Sequence, residues 1–157
     1  MGYIESNLMP NEEVIYTTKL HWIVFFSPLF WFCVGLFLYL YGDDDLRSLG
    51  IVLMFVSVVY GLSPLVNYWT SEFGITTRRV ILKTGFIKRN TVEILLSKVE
   101  SIQVHQSIPG RILGYGTIII RGTGGVEDSF KNIRNPLKFK KIAQETIVAT
   151  QENMRWR

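Results

Sequence analysis

The sequence predicts a two-helix transmembrane hairpin followed by a small α+β domain, in which about seven antiparallel strands form a roll or sandwich closed by one C-terminal helix. Three observations predict it: two long runs without a charged residue, short alternating segments through the second half, and a final segment of helical period. The runs are Leu20 to Gly42 and Ser48 to Ser71, both free of Asp, Glu, Lys and Arg. Each is long enough to cross a hydrocarbon core of roughly 30 Å as a helix of about 20 residues. Only Asp43-Asp44-Asp45-Leu46-Arg47 separates them, which allows no more than the turn of a hairpin. The expected organisation is a leader over 1–19, a two-span hairpin over 20–71 and a soluble domain over 72–157.

Orientation is read from charge. The residues after the second run are rich in cations, Arg78, Arg79, Lys83, Lys88 and Arg89, whereas the turn between the runs carries three Asp and one Arg. Lys and Arg near span ends stay on the cytoplasmic side, so both termini are expected in the cytoplasm. The leader, with Glu5, Glu12 and Glu13 against Lys19, votes weakly the other way but must follow the second span. A cleaved signal peptide is not expected, because the apolar run is long, its leader is acidic and no small-x-small site follows. Tyr16 and Trp22, Tyr39 and Tyr41, and Tyr68 and Trp69 stand where interfacial aromatics belong.

Both runs contain Ser-Pro-Leu, as Ser27-Pro28-Leu29 and Ser63-Pro64-Leu65. A proline inside a helix removes a donor and bends the axis, so Pro28 and Pro64 are expected as a matched pair of kinks. A discontinuous-helix ion site of the transporter kind lacks the intramembrane charge it would need. His21 and Asn67 are expected as interfacial hydrogen-bonders. Cys33, the single cysteine, packs as a small apolar residue and excludes an internal disulfide or a cysteine zinc motif.

Charge divides the chain. From Glu72 onward there are fifteen Lys and Arg against seven Asp and Glu, a balance of +8, while the first 71 residues carry −4. Alternation in Thr91–Leu96, Ser101–Val104, Gly116–Arg121 and Val126–Ile133 reads as strands. Thr77-Arg78, Thr84-Gly85, Ser97-Lys98 and Thr123-Gly124-Gly125 read as turns between them. Asn135 and Pro136 then open a helix, with Leu137, Phe139, Ile142, Ala143, Ile147 and Val148 on its apolar face.

A roll of this kind finished by one helix is the pleckstrin-homology (PH) architecture, and particular residues carry a closer likeness. Ile75-Thr76-Thr77-Arg78-Arg79-Val80-Ile81-Leu82-Lys83-Thr84-Gly85 is followed by Val92-Glu93-Ile94 and Val99-Glu100-Ser101-Ile102. Gly110-Arg111-Ile112-Leu113-Gly114-Tyr115-Gly116-Thr117 and Gly122-Thr123-Gly124-Gly125 come next. Over about Glu72 to Ala143 this closely resembles the membrane-anchored bacterial PH-like domains, long catalogued as a domain of unknown function. The resemblance implies a PH-like fold, paired anchor helices and a bacterial inner membrane, with no accepted chemistry or ligand.

Catalysis finds little support. His105 is the only histidine of the soluble half and has no clustered carboxylate or nucleophile beside it. Glu127 and Asp128 are adjacent on a strand and face opposite ways. Arg121-Gly122-Thr123-Gly124-Gly125 lacks the Lys-Ser/Thr of a phosphate loop and reads as a hairpin turn using glycine for positive φ. Gly110, Gly114 and Gly116 flank an irregular connection in which Arg111 is expected to bond the carbonyls of the turn. No enzyme activity, cofactor or metal is expected. Exposed aromatics for base stacking are few, with Tyr115 and Phe130 assigned to the core, so nucleic acid is not an expected partner.

A domain tethered beside a membrane meets anionic lipid instead, where each nearby cation contributes about 1 kcal/mol. Only Thr70 and Ser71 separate the second span from the first strand of the soluble half. That strand therefore starts at the membrane, carries Arg78 and Arg79 about 15–20 Å away, and the next returns. Phe86, Ile87, Lys88 and Arg89 are thereby expected to touch the membrane surface. The leading function is a non-enzymatic membrane-anchored adaptor or scaffold presenting a protein-binding domain at the cytoplasmic face. Its expected partners are membrane lipids and one or more proteins, including copies of itself or a larger inner-membrane complex. The alternative is a small accessory or regulatory subunit of a transporter or channel.

Overall fold

The chain divides into two units, Met1–His21 together with Thr70–Arg157, and Trp22–Trp69. The computed structural model describes residues 3–85, 90–125 and 127–155.

In the first unit two antiparallel sheets make a roll. One has the order β1 (Val14–Thr18), β2 (Glu72–Thr76), β3 (Arg79–Thr84), β4 (Asn90–Leu95), and the other β5 (Val99–His105), β6 (Tyr115–Gly122), β7 (Glu127–Arg134). The strands and turns of the soluble half fall where alternation and turn chemistry put them. The sequence reading differs at the N-terminus. It set 1–19 apart as a leader, whereas that segment folds into this unit: β1 pairs with β2, Thr18 opposite Phe73 and Thr17 opposite Gly74. Among the described residues six strands come from the soluble half and a seventh from the leader. The β-branched and aromatic run Val14-Ile15-Tyr16-Thr17-Thr18 suits a strand, and its register is fixed by a partner more than 50 residues away in sequence.

The core lies between the sheets. Phe73, Ile75, Val80, Leu82, Leu96, Ile102, Ile118, Ile120, Phe130 and Ile133 fill it, and Phe73 meets Phe130 edge to face. Burying such side chains contributes roughly 1.5–3 kcal/mol each. Helix α5 (Pro136–Arg155) covers the open side, with Phe139 and Ala143 fully buried and Ile142 and Ile147 packed against the cluster. Leu137 and Val148, expected on the same face, are exposed. The burying stripe runs 139, 142, 143, 147, an i, i+3, i+4, i+8 repeat, from which both residues are displaced.

β2 and β3 are buried on both faces. Phe73, Ile75, Val80 and Leu82 face the core, so by the period of two Gly74, Thr76, Arg79 and Ile81 face outward. The segment before β1 covers that outer side. Helix α1 (Tyr3–Ser6) buries Ile4 over Gly74, where a Cβ would stand 2.5 Å from the Ile4 Cδ1 atom. Beside it, the Lys83 Nζ lies 3.9 Å from the centre of the Tyr3 ring.

The second unit is a helical hairpin. A 3-10 turn, Trp22–Phe25, leads into α2 (Phe26–Tyr41), and α3 spans Asp44–Thr70. The turn is shorter than the five residues expected, because α3 starts at Asp44 and takes Asp44 and Asp45 into its first turn, where carboxylates suit the positive end of the helix dipole. The helices touch backbone to backbone at Gly35 and Gly50: a Cβ on Gly50 would lie 2.6 Å from the Gly35 carbonyl oxygen.

Candidate functional site

Three surfaces carry the residues that the sequence singled out. The first is the β2–β3 turn. Arg78 is exposed, but Arg79 is buried and all three of its guanidinium nitrogens are bonded. Its Nε donates to Glu12 Oε1 at 2.9 Å and its Nη2 to Glu12 Oε2 at 2.9 Å. Its Nη1 donates to Glu93 at 2.6 Å, and its Nη2 also to the Asn7 carbonyl at 2.8 Å. Thr76 Oγ1 donates to the same Glu12 carboxylate at 2.6 Å, and the Met9 amide adds a fourth bond at 2.8 Å.

Burial by itself would raise the Glu12 pKa; the bonds from Arg79, Thr76 and Met9 and the Arg79 charge outweigh it and hold the carboxyl below its ordinary range. Arg79 moves upward, chiefly through its bonds to Glu12. Arg79 therefore serves the fold, pinning the N-terminal segment across the sheet, and does not belong with Arg78 as a free surface cation. Sequence reasoning missed this pair. The available signal was that Arg79 alternates with Val80 and Leu82 and must face opposite to them.

The second surface is the end of the roll at which the chain leaves for the hairpin and returns. Glu72 pairs with Lys83 and Thr84 with Asn90, so the end of β3 and the start of β4 stand at the Glu72 end of the sheet. Gly85 begins that connection with φ +82°. Phe86, Ile87, Lys88 and Arg89, expected to touch the membrane surface, lie outside the described residues.

On the other sheet, β1 continues as Lys19–His21 alongside the end of β7. The Arg134 amide donates to the Lys19 carbonyl, the His21 amide donates to the Asn132 carbonyl, and Leu20 bridges Ile133. The His21 ring is buried 5.3 Å from that of Tyr115. Burial depresses the His21 pKa, the nearby Arg134 charge adds to that, and a hydrogen bond to the Leu113 backbone opposes it. His21 is therefore a packed and hydrogen-bonded residue of the roll.

At this same end the connection between β5 and β6, expected to be irregular, is a short helix, α4 (Ile108–Leu113). Ser107 caps its start, accepting a bond from the Gly110 amide, and Gly114 ends it in the left-handed conformation, φ +79°. The carbonyls that Arg111 was expected to bond are served by Gln106, whose Nε2 donates to Tyr115 at 2.9 Å and Gly110 at 3.3 Å. Arg111 itself is exposed.

The far turn behaves as predicted. Gly124 and Gly125 take φ +112° and +76°, the Gly125 amide donates to the Gly122 carbonyl, and Arg121 pairs with Glu127 across the hairpin. Among the described residues no group of three His, Cys, Asp or Glu side chains could hold a metal ion.

The third surface is the hairpin. Its two helices are long and apolar enough to cross a membrane, with mean hydropathy 2.2 in each. Pro28, expected as one of a matched pair of kinks, is the third residue of α2, where the helix has no backbone bond for it to remove; it marks the passage from 3-10 turn to α-helix. Pro64 is interior to α3 and cannot supply the donor for the Tyr60 carbonyl. Ser27, Trp31, Leu53, Val56, Ser57 and Tyr60 line an open apolar groove of about 360 Å³ between the helices. Cys33 is exposed on the outside, and Phe25 meets Tyr68 with ring centres 5.4 Å apart.

The sequence profile described as the bacterial PH domain matches residues 24–147, taking in all of α2 and α3, and β2 through most of α5. No curated protein and no solved structure matches the chain. With two antiparallel sheets, a closing helix and a profile match over most of its length, the chain belongs to the bacterial PH domain family.

Proposed function

We propose that this protein is a non-enzymatic adaptor: the hairpin anchors it in a bacterial inner membrane, both termini lie in the cytoplasm, and the PH-like roll presents a binding surface there. The observation that carries this reading is where the hairpin is inserted. It joins β1 to β2, neighbouring strands of one sheet, so both ends of the anchor are strand continuations and the roll is held by two attachments.

Exposure of the hairpin supports the anchor. Only 11% of each apolar window is buried, which sets these helices apart from core helices of a soluble domain. Phe26, Leu29, Phe30, Phe37, Phe55 and Tyr60 all stand open, far beyond the scattered apolar residues that water tolerates. The cation excess after the second helix supports the cytoplasmic side. Phe86, Ile87, Lys88 and Arg89 remain the proposed lipid-touching turn, and proteins, copies of the chain among them, are its proposed partners.

Labelling tests the placement. In a Cys33→Ser background, Asp44→Cys at the start of α3 should react with an impermeant thiol reagent added outside intact cells, and Ser129→Cys in the roll should not. The reverse pattern would overturn it. A capture experiment in mild detergent tests the role: a soluble partner held through the roll supports the adaptor, whereas a polytopic partner held through the hairpin groove would make the protein a transporter or channel subunit.

A further inference from the structure

We infer that α4 is a second membrane-contacting element, an interfacial helix that seats Ile108 and Ile112 in the acyl boundary and Arg111 among anionic head groups. This rests on the membrane-anchored reading above. Ile108 and Ile112 are four residues apart and share one side of the helix; they are 77% and 79% exposed, and Leu113 beside them is 42% exposed. Two isoleucines this open on a six-residue helix do no packing for the roll. The helix is nevertheless rigidly framed, capped by Ser107 and Gly114 and braced by Gln106.

Chain continuity identifies the occupant. Leu113 and Tyr115 contact His21, and the next residue, Trp22, opens the first membrane-crossing segment. One peptide step is about 3.8 Å, so the end of α4 is fastened beside the point at which the chain enters lipid. An interfacial helix buries its apolar side about 5–10 Å into the head-group boundary, a depth within reach from there. Charge agrees: no Asp or Glu occurs from Ser101 to Val126, or from Ser129 to Gln144. Lys19 and Arg134, bonded to each other through their backbones, are exposed at this end with Arg111. Cations so placed are attracted to anionic lipid.

The test uses the full chain carrying Cys33→Ser, reconstituted in phosphatidylcholine vesicles containing phosphatidylglycerol, with single cysteines bearing an environment-sensitive fluorophore. A label on Ile112→Cys should lose about half of its emission or more to a shallow nitroxide lipid and be shielded from aqueous iodide. A label on Thr123→Cys, just past the far end of β6 and about 26 Å from Tyr115 at roughly 3.3 Å per residue, should show neither effect. A label on Val58→Cys should be quenched by a deep nitroxide lipid, which reports the anchor separately. Quenching at Val58 without quenching at Ile112 overturns the inference and leaves the anchor standing; no quenching at either position overturns both. Shielding of Ile112 from iodide without lipid quenching would mean that protein, a second copy included, covers α4. Equal quenching at Ile112 and Thr123 would mean that the roll lies flat with no particular contact through α4.

Discussion

Arg78 and Arg79 are neighbours in sequence with opposite fates, and the period of two decides them. Arg79 faces the outer side of β3, where the N-terminal segment buries it against Glu12 and Glu93; Arg78 sits in the turn. Removing one member of a buried pair leaves the other charged and dry, at a cost of about 3–5 kcal/mol. Arg79→Ala should therefore lower the unfolding midpoint of the roll sharply in denaturant titrations of the full chain in detergent. Arg78→Ala should stay within about 0.5 kcal/mol of the parent, and equal losses would contradict the burial. The same pair sets an acid limb. Because the folded-state pKa of Glu12 lies below its ordinary 4.5, the unfolded chain binds the proton more readily. Its contribution is full above about pH 4.5 and is lost as pH falls through the folded value. Glu12→Gln should flatten stability against pH in that window; an unchanged acid limb would remove Glu12 as its source. The side of the strand that Arg79 takes was legible in the sequence, but its partner was not, since Glu12 lies 67 residues from Arg79 and nothing local marks it.

Elements were more legible than their faces. Alternation located strands β4 to β7, and Asn135-Pro136 located the start of α5, because both signals are local. Which residues of α5 enter the core depends on the angle at which the helix crosses the sheets, and this left Leu137 outside and Phe139 fully inside. Phe139→Ala should cost about 3–5 kcal/mol, with Leu137→Ala nearly silent, when cooperative thermal melts of the two variants are compared. Comparable melts would mean that α5 closes the core through another face. α4 escaped the sequence because six residues are too few to show a period; its cap residues, Ser107 and Gly114, were the only local signal. The hairpin was legible in outline. Its turn was set one helical turn too long, since the Asp cluster reads equally well as a loop or as the acidic start of α3.

At the scale of the whole molecule, the hairpin is an insertion within the roll, which has residues on both sides of it. A chain limited to Glu72–Arg157 lacks β1, Ile4 and Glu12. It exposes the edge of β2, uncovers Ile81 and leaves Arg79 without its two bonds to Glu12. That fragment should be insoluble or should lack a cooperative melt. A chain in which residues 22–69 are replaced by a short Gly/Ser linker should fold, because Thr18 and Phe73 are already register partners and the linker closes an ordinary hairpin connection. Circular dichroism melts of both chains decide the matter; a stable 72–157 fragment would show that the N-terminal segment is dispensable.

The sequence by itself determined two apolar helices, a β-rich basic half, its turns and its terminal helix, because hydropathy, alternation and glycine or proline chemistry act within a few residues. The profile match over 24–147 agrees with that part. Only the tertiary structure decided that the acidic leader supplies a strand and a buried carboxylate, that Arg79 is an internal tie, and that α4 stands beside the exit of the chain toward the hairpin. Each of those depends on pairing between residues separated by the hairpin or by several strands. Such contacts are fixed by which side of a strand meets which neighbour once the core has formed.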